Sequence, residues 1–120
     1  MRSRTTAETG ALIERQARAF LEERGLRFVA ANFRTRFGEL DLVMEDGETL
    51  VFVEVRYRHG DSHGGALASV TTHKQQRLLK AAAQFLAQHR AAHRLVRFDI
   101  VGVTGTAAPQ WLRDAFREAS

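Results

Sequence analysis

The chain has 120 residues, 44% apolar side chains, one proline and no cysteine, which suits one domain with its own core and excludes a disulfide scaffold, a zinc ribbon, an iron–sulfur cluster and a cysteine nucleophile. The net charge of +4 is unevenly placed: residues 1–57 carry nine Lys/Arg against ten Asp/Glu, and residues 58–120 carry nine against four. No apolar run approaches the ~20 residues a membrane span needs, and the start lacks a signal-peptide core, so a cytoplasmic protein is expected.

Residues 1–120 are expected to form a single domain in which residues 1–7 are disordered. Thr6 or Thr9 can cap a first helix that runs to about Arg24 and stops at Gly25. Its apolar stripe is Ile13, Ala17, Phe20 and Leu21, with Glu14 at the stripe's edge. Three strands follow, at about Arg27–Phe33, Glu39–Glu45 and Thr49–Tyr57. Asp46-Gly47 reads as a two-residue hairpin turn. The third strand is apolar at both parities, as a central strand covered on both faces would be. The glycine-rich segment Arg58–Leu67 reads as a loop. A second helix is predicted over Thr72–His89, buried through Leu78, Leu79, Ala82, Phe85 and Leu86. A fourth strand spans Val96–Val103 and ends at Gly105. Pro109 then suits the first turn of a short last helix, Gln110–Glu118. The expected fold class is α/β (α+β): a mixed sheet flanked by helices, in the order α-β-β-β-α-β with a short C-terminal helix.

The chemistry concentrates on the second and third strands. Side chains alternate along a strand, and a turn at Asp46-Gly47 sets Glu39 opposite Glu54 and Asp41 opposite Phe52. Asp41, Glu54 and Arg56 then project from one side of the sheet, with Glu39 beside them; a slip of two residues preserves this and a slip of one undoes it. Adjacent carboxylates on central strands repel and are costly to bury unless paired or bound to a cation. They form a salt bridge from Glu54 or Asp41 to Arg56, or lie at an edge open to water, or make a site for a hard cation. Mg²⁺ or Mn²⁺ takes oxygen ligands and leaves room for water and a phosphate. Glu14 can reach the same cluster. Lys74 and Gln75 sit near the start of the second helix, on its sheet-facing side.

The second half of the chain is basic, and sixteen of the eighteen bases are arginine, whose planar fork suits phosphate. His59, Asp61 and His63 form only a weak transition-metal pattern. Trp111 and Phe116 either close the core or form a homodimer patch. Asp99 carries no assigned chemistry beyond an ion pair with Arg97 or a neighbour.

Gly10-x-x-x-Glu14-x-x-Ala17, Asn32-x-Arg34, Gly38-Glu39-Leu40-Asp41-Leu42-Val43, Phe52-Val53-Glu54-Val55-Arg56, Ser69-Val70 with Lys74-x-x-Arg77, and Arg97-Phe98-Asp99 together resemble the YraN-type family of small bacterial proteins. That family in turn resembles the restriction-endonuclease-like PD-(D/E)xK superfamily, particularly Holliday-junction resolvases. The resemblance implies a single nuclease-like domain over residues 1–120, with an α-β-β-β-α-β core and metal-site roles on Glu14, Asp41, Glu54 and Arg56. Arg56 departs from the superfamily's lysine: it keeps the charge but is a poor general base, and Lys74 could supply the ammonium. The expected function is a Mg²⁺- or Mn²⁺-dependent endonuclease acting on branched or single-stranded DNA. Glu14, Asp41 and Glu54 would hold the metal, Arg56 and Lys74 would assist, and Arg34, Arg58, Gln75, Arg77 and Lys80 would touch nucleic acid. The alternatives are a catalytically inactive nucleic-acid-binding module of the same fold and a protein-interaction adaptor.

Overall fold

A computed structural model describes residues 6–57, 69–104 and 107–118. Helix α1 (Thr6–Glu23) leads into strands β1 (Arg27–Thr35), β2 (Gly38–Asp46) and β3 (Thr49–Tyr57). Helix α2 (Thr72–Gln88) crosses to β4 (Leu95–Val103), and β5 (Gln110–Phe116) closes the sheet. The five strands lie in sequence order. Every pair is antiparallel except β3 with β4, which α2 connects as a crossover.

Local sequence explains the element ends. Gly25 has φ +94, and the amides of Gly25 and Leu26 donate to the carbonyls of Glu22 and Leu21, each at 3.1 Å. This glycine cap turns the chain off α1 and buries Leu26 beside Leu21. Thr71 opens α2 by accepting the Lys74 amide at 3.1 Å.

Each face of the sheet carries its own apolar cluster. On one side Ile13, Ala17 and Leu21 of α1 pack on Leu42, Met44, Val51, Val53 and Val101. On the other, Leu78, Ala81, Ala82 and Phe85 of α2 pack on Val43, Leu50, Phe52, Phe98 and Ile100. Strand β3 feeds both clusters, as its double-parity apolar pattern predicts.

Three expectations are corrected. Helix α1 begins at Thr6, so the first turn includes residues 6 and 7; residues 1–5 lie outside the described residues. The β2–β3 turn is Gly47-Glu48, not Asp46-Gly47: Asp46 pairs with Thr49 and Val43 with Phe52. Gly47, at φ +61, supplies the positive φ that a tight hairpin needs at its first central position. The register therefore lies two residues from the one expected. Lastly, residues 110–116 form a strand and not a helix. The free edge of β4 decides this, because β5 pairs along it and seats Phe116 against Phe98. Trp111 and Phe116 thus serve the core. The expected loop Arg58–Leu67 and the strand stop at Gly105 lie outside the described residues.

Candidate functional site

The sheet forks where the carboxylates gather. The β2–β3 ladder runs from Asp46↔Thr49 to Leu42↔Val53 and goes no further, while β1 stays paired with β2 out to Thr35↔Gly38. The Asp41 side chain enters the gap and accepts the Val55 amide at 2.9 Å. A carboxylate thus occupies the place of a ladder partner. Side-chain alternation also breaks here: Leu40 and Val43 both join the α2 cluster, and Leu42 joins the α1 cluster. Opposite Asp41 on β1, Asn32 has φ +55, a left-handed conformation that asparagine tolerates better than most residues.

Four acidic side chains converge on this fork. Carboxylate oxygens of Glu14, Glu39 and Asp41 lie within 4.8 Å of one another. Glu54 adjoins Asp41 from β3 and hydrogen-bonds with it. Burial pushes Asp41 up to about 7, and the charge and hydrogen bond of Glu54 push the same way; the Val55 amide and the Lys74 charge oppose them. Glu14 is also raised, by burial and then by Asp41; a hydrogen bond with Asn32 works against this, and Glu39 adds to it.

Cations reach the cluster at Glu54 and, from the exposed Arg34, at Glu39. The Glu54 carboxylate is 4% exposed; its Oε2 takes Arg56 Nη2 at 3.0 Å and Lys74 Nζ at 3.5 Å. Arg56 Nε is buried with no hydrogen-bond partner among the described residues. The salt bridge from Glu54 to Arg56, one of the readings the sequence offers, therefore forms; Glu39 has the exposed Arg34 at 3.7 Å, and Asp41 and Glu14 have no salt bridge among the described residues. An all-oxygen set of this kind suits Mg²⁺ or Mn²⁺ and not a thiol- or imidazole-seeking metal.

The structure brings Glu14, Asp41, Glu54, Arg56 and Lys74 to one locus. The expected nucleic-acid contacts are more dispersed. Arg34 is exposed and lies 3.7 Å from Glu39. Arg77 donates Nε to the Phe37 carbonyl at 2.6 Å, pinning the β1–β2 turn to α2. Lys80 sits 5.7 Å from the Phe37 ring centroid. Gln75 is committed to the Val70 carbonyl at 3.1 Å, a strap at the start of α2. Arg58, His59, Asp61 and His63 lie outside the described residues.

Sequence reasoning placed Glu39 beside the cluster without giving it a ligand role. It overlooked Asn32 as the hydrogen-bond partner of Glu14. The Glu39-x-Asp41 spacing carried the first signal. The second came only with the conformation of β1.

The chain matches the model of the uncharacterised protein family UPF0102 over residues 13–103. It is 51% identical to the UPF0102 protein YraN of Escherichia fergusonii over 121 aligned positions, which cover 99% of this chain and 92% of the relative. The YraN proteins of Escherichia coli (strain SMS-3-5) and Shigella sonnei are each 50% identical over the same shares. With a family match over most of its length and half of its residues shared with these relatives, the chain belongs to the UPF0102 family.

Proposed function

We propose that this protein is a Mg²⁺- or Mn²⁺-dependent endonuclease acting on branched or single-stranded DNA. One observation carries the reading: three carboxylates crowd within 4.8 Å at the sheet fork, and Asp41 among them is pushed up to about 7. Such a cluster costs folding stability, and a divalent cation would relieve it. Glu14, Glu39 and Asp41 would hold the ion, with Glu54 adjoining Asp41. A bound divalent cation supplies Lewis acidity toward a phosphodiester and lowers the pKa of water.

The protein's own groups have separate tasks. Arg56, held by Glu54, presents a fixed guanidinium to a phosphate oxygen. Arginine keeps its proton, so Arg56 offers charge and not base catalysis. Lys74 places an ammonium on the same carboxylate from α2; it can donate a proton to a departing oxygen. The Val55 amide holds Asp41 in place through Oδ2.

The test is cleavage of branched, nicked and single-stranded DNA with Mg²⁺, Mn²⁺ or EDTA. Metal-dependent cleavage that falls at least ~100-fold in Asp41→Ala and Glu54→Ala is expected. Cleavage that survives both substitutions overturns the assignment. A second reading has its own support in Arg56, which stands where a nuclease of this type would carry lysine: a module that grips DNA without cutting it. Salt-sensitive binding that is equally tight in EDTA, with no cleavage in any metal, selects that reading.

A further inference from the structure

A pocket adjoins the carboxylate cluster and shares Glu39 with it. It has a volume of about 440 Å³ and is bounded by Phe37, Gly38 and Glu39 of the β1–β2 turn, Arg56 of β3, and Thr71, Lys74 and Arg77 at the start of α2. Such a volume suits a small organic ligand. Three permanent cations line it, Arg56, Lys74 and Arg77, against one acid, Glu39. Arg56 lines the pocket with a guanidinium that Glu54 holds through Nη2 at 3.0 Å. Arg77 uses its Nε on the Phe37 carbonyl, which fixes the guanidinium against the turn. Phe37 adds an aromatic surface. Cations already favour that ring: Arg36 lies 4.8 Å from its centroid and Lys80 5.7 Å. Anion chemistry on one wall and an aromatic ring on another call for a ligand that carries both a phosphate and a flat base.

We propose that this pocket binds one nucleoside monophosphate unit, with its phosphate on Arg56, Lys74 and Arg77 and its base toward Phe37. The unit is either free or the terminal residue of a DNA strand. The terminal case rests on the nuclease reading and makes strand ends and unpaired nucleotides the preferred substrates. The free case does not depend on it. Glu39 belongs both to this pocket and to the carboxylate cluster, so a nucleotide held here would bring its neighbouring phosphodiester toward the acids.

The experiment is a titration of the ¹⁵N-labelled full chain in EDTA with thymidine 5′-monophosphate, inorganic phosphate, thymidine, and a short oligonucleotide with either a 5′-phosphate or a 5′-hydroxyl. The expected result is amide shifts at Phe37–Glu39 and Thr71–Lys74, saturating with the monophosphate. Phosphate should bind at least ~10-fold more weakly and thymidine more weakly still. Arg56→Gln and Arg77→Gln should each weaken the monophosphate at least ~5-fold, whereas Arg113→Gln, on β5, should not. Arg77 is exposed, so its variant remains informative if Arg56→Gln fails to fold. A 5′-phosphorylated oligonucleotide binding better than its 5′-hydroxyl twin selects the strand end; equal binding of the two, with the monophosphate still bound, selects the free nucleotide. No shifts at these amides, or thymidine and its monophosphate binding alike, overturns the pocket. Because no metal is present, its failure leaves the cleavage assay unaffected, and failed cleavage leaves this titration unaffected.

Discussion

Two carboxylates in one sheet, one fully buried and one half-buried, have opposite surroundings. Asp99 on β4 is fully buried, and both of its oxygens are paired. Its Oδ1 accepts Arg97 Nε and the Asp114 amide, each at 2.9 Å, and its Oδ2 accepts Arg97 Nη2 at 3.0 Å and Trp111 Nε1 at 2.9 Å. Arg97 in turn reaches Asp46 at 2.9 Å, and Arg113 reaches the same carboxylate at 3.1 Å. This network ties β5 and β4 to the end of β2. Asp41 at the fork has one backbone donor, three acidic neighbours (Glu14, Glu39 and Glu54) and a proton affinity raised to about 7. A charge with every lone pair satisfied is what a fold uses to hold itself together. A charge left among like charges costs stability until a proton or a bound cation neutralises it.

The comparison breaks most visibly at Asp99. Asp99→Ala strands the largely buried Arg97 and removes the anchor of β5, so a loss of about 3–5 kcal/mol is expected in chemical denaturation. A loss under ~1 kcal/mol would mean that the network contributes little. Asp41→Asn should do the reverse. Under the proposed nuclease function, cleavage should fall about 100-fold, equivalent to about 2.7 kcal/mol, while stability at pH 8 should stay level or rise because a repelling charge is gone.

The pH dependence sharpens the contrast further. Folded Asp41 titrates near 7 and the unfolded residue near 3.9, about the ordinary value. The folded state therefore holds this proton over a range in which the unfolded chain has released it. The stability from neutral Asp41 is complete below about pH 4, is lost as pH rises to about 7, and is unchanged above that. Denaturation of the metal-free protein between pH 5 and 8 should show a decline of about 2 kcal/mol that Asp41→Asn flattens. Adding Mg²⁺ at pH 8 should restore about 1–2 kcal/mol to the native protein. It should restore less to Glu39→Gln and nothing to Asp41→Asn. The smallest change is expected from Arg113→Gln. That side chain is more than half exposed and shares Asp46 with Arg97, so less than about 1 kcal/mol should be lost and the Mg²⁺ response kept.

Much of this was legible in the sequence. Helical spacing, the glycine stop at Gly25 and the double-parity strand Thr49–Tyr57 are local signals, and each produced the element expected. Asp41, Glu54 and Arg56 were found because alternation holds along β3 and a two-residue error in the turn keeps the parity of the pairing; the break in alternation at Leu40–Val43 of β2 lay beyond that rule. The remainder depended on tertiary context. Gln110–Phe116 has a helix-compatible pattern, but the unpaired edge of β4 and the open lone pairs of Asp99 favour a strand. The fork itself is a departure from regular pairing, so no periodic rule announces it. Asn32 and the full role of Glu39 follow from that departure.

The Trp111–Asp99 bond has a practical consequence. The chain contains one tryptophan and one tyrosine, and the fold assigns them to different regions. The indole reports on the closure of β5 over β4, with Phe20 edge-on at 6.3 Å and its N–H committed to a buried carboxylate. Tyr57 lies half-exposed at the end of β3, one residue past Arg56. Ultraviolet excitation at the red edge, where tyrosine is silent, therefore reads the structural network alone. A ligand that occupies the fork should leave that emission unchanged while it raises the temperature at which the emission is lost.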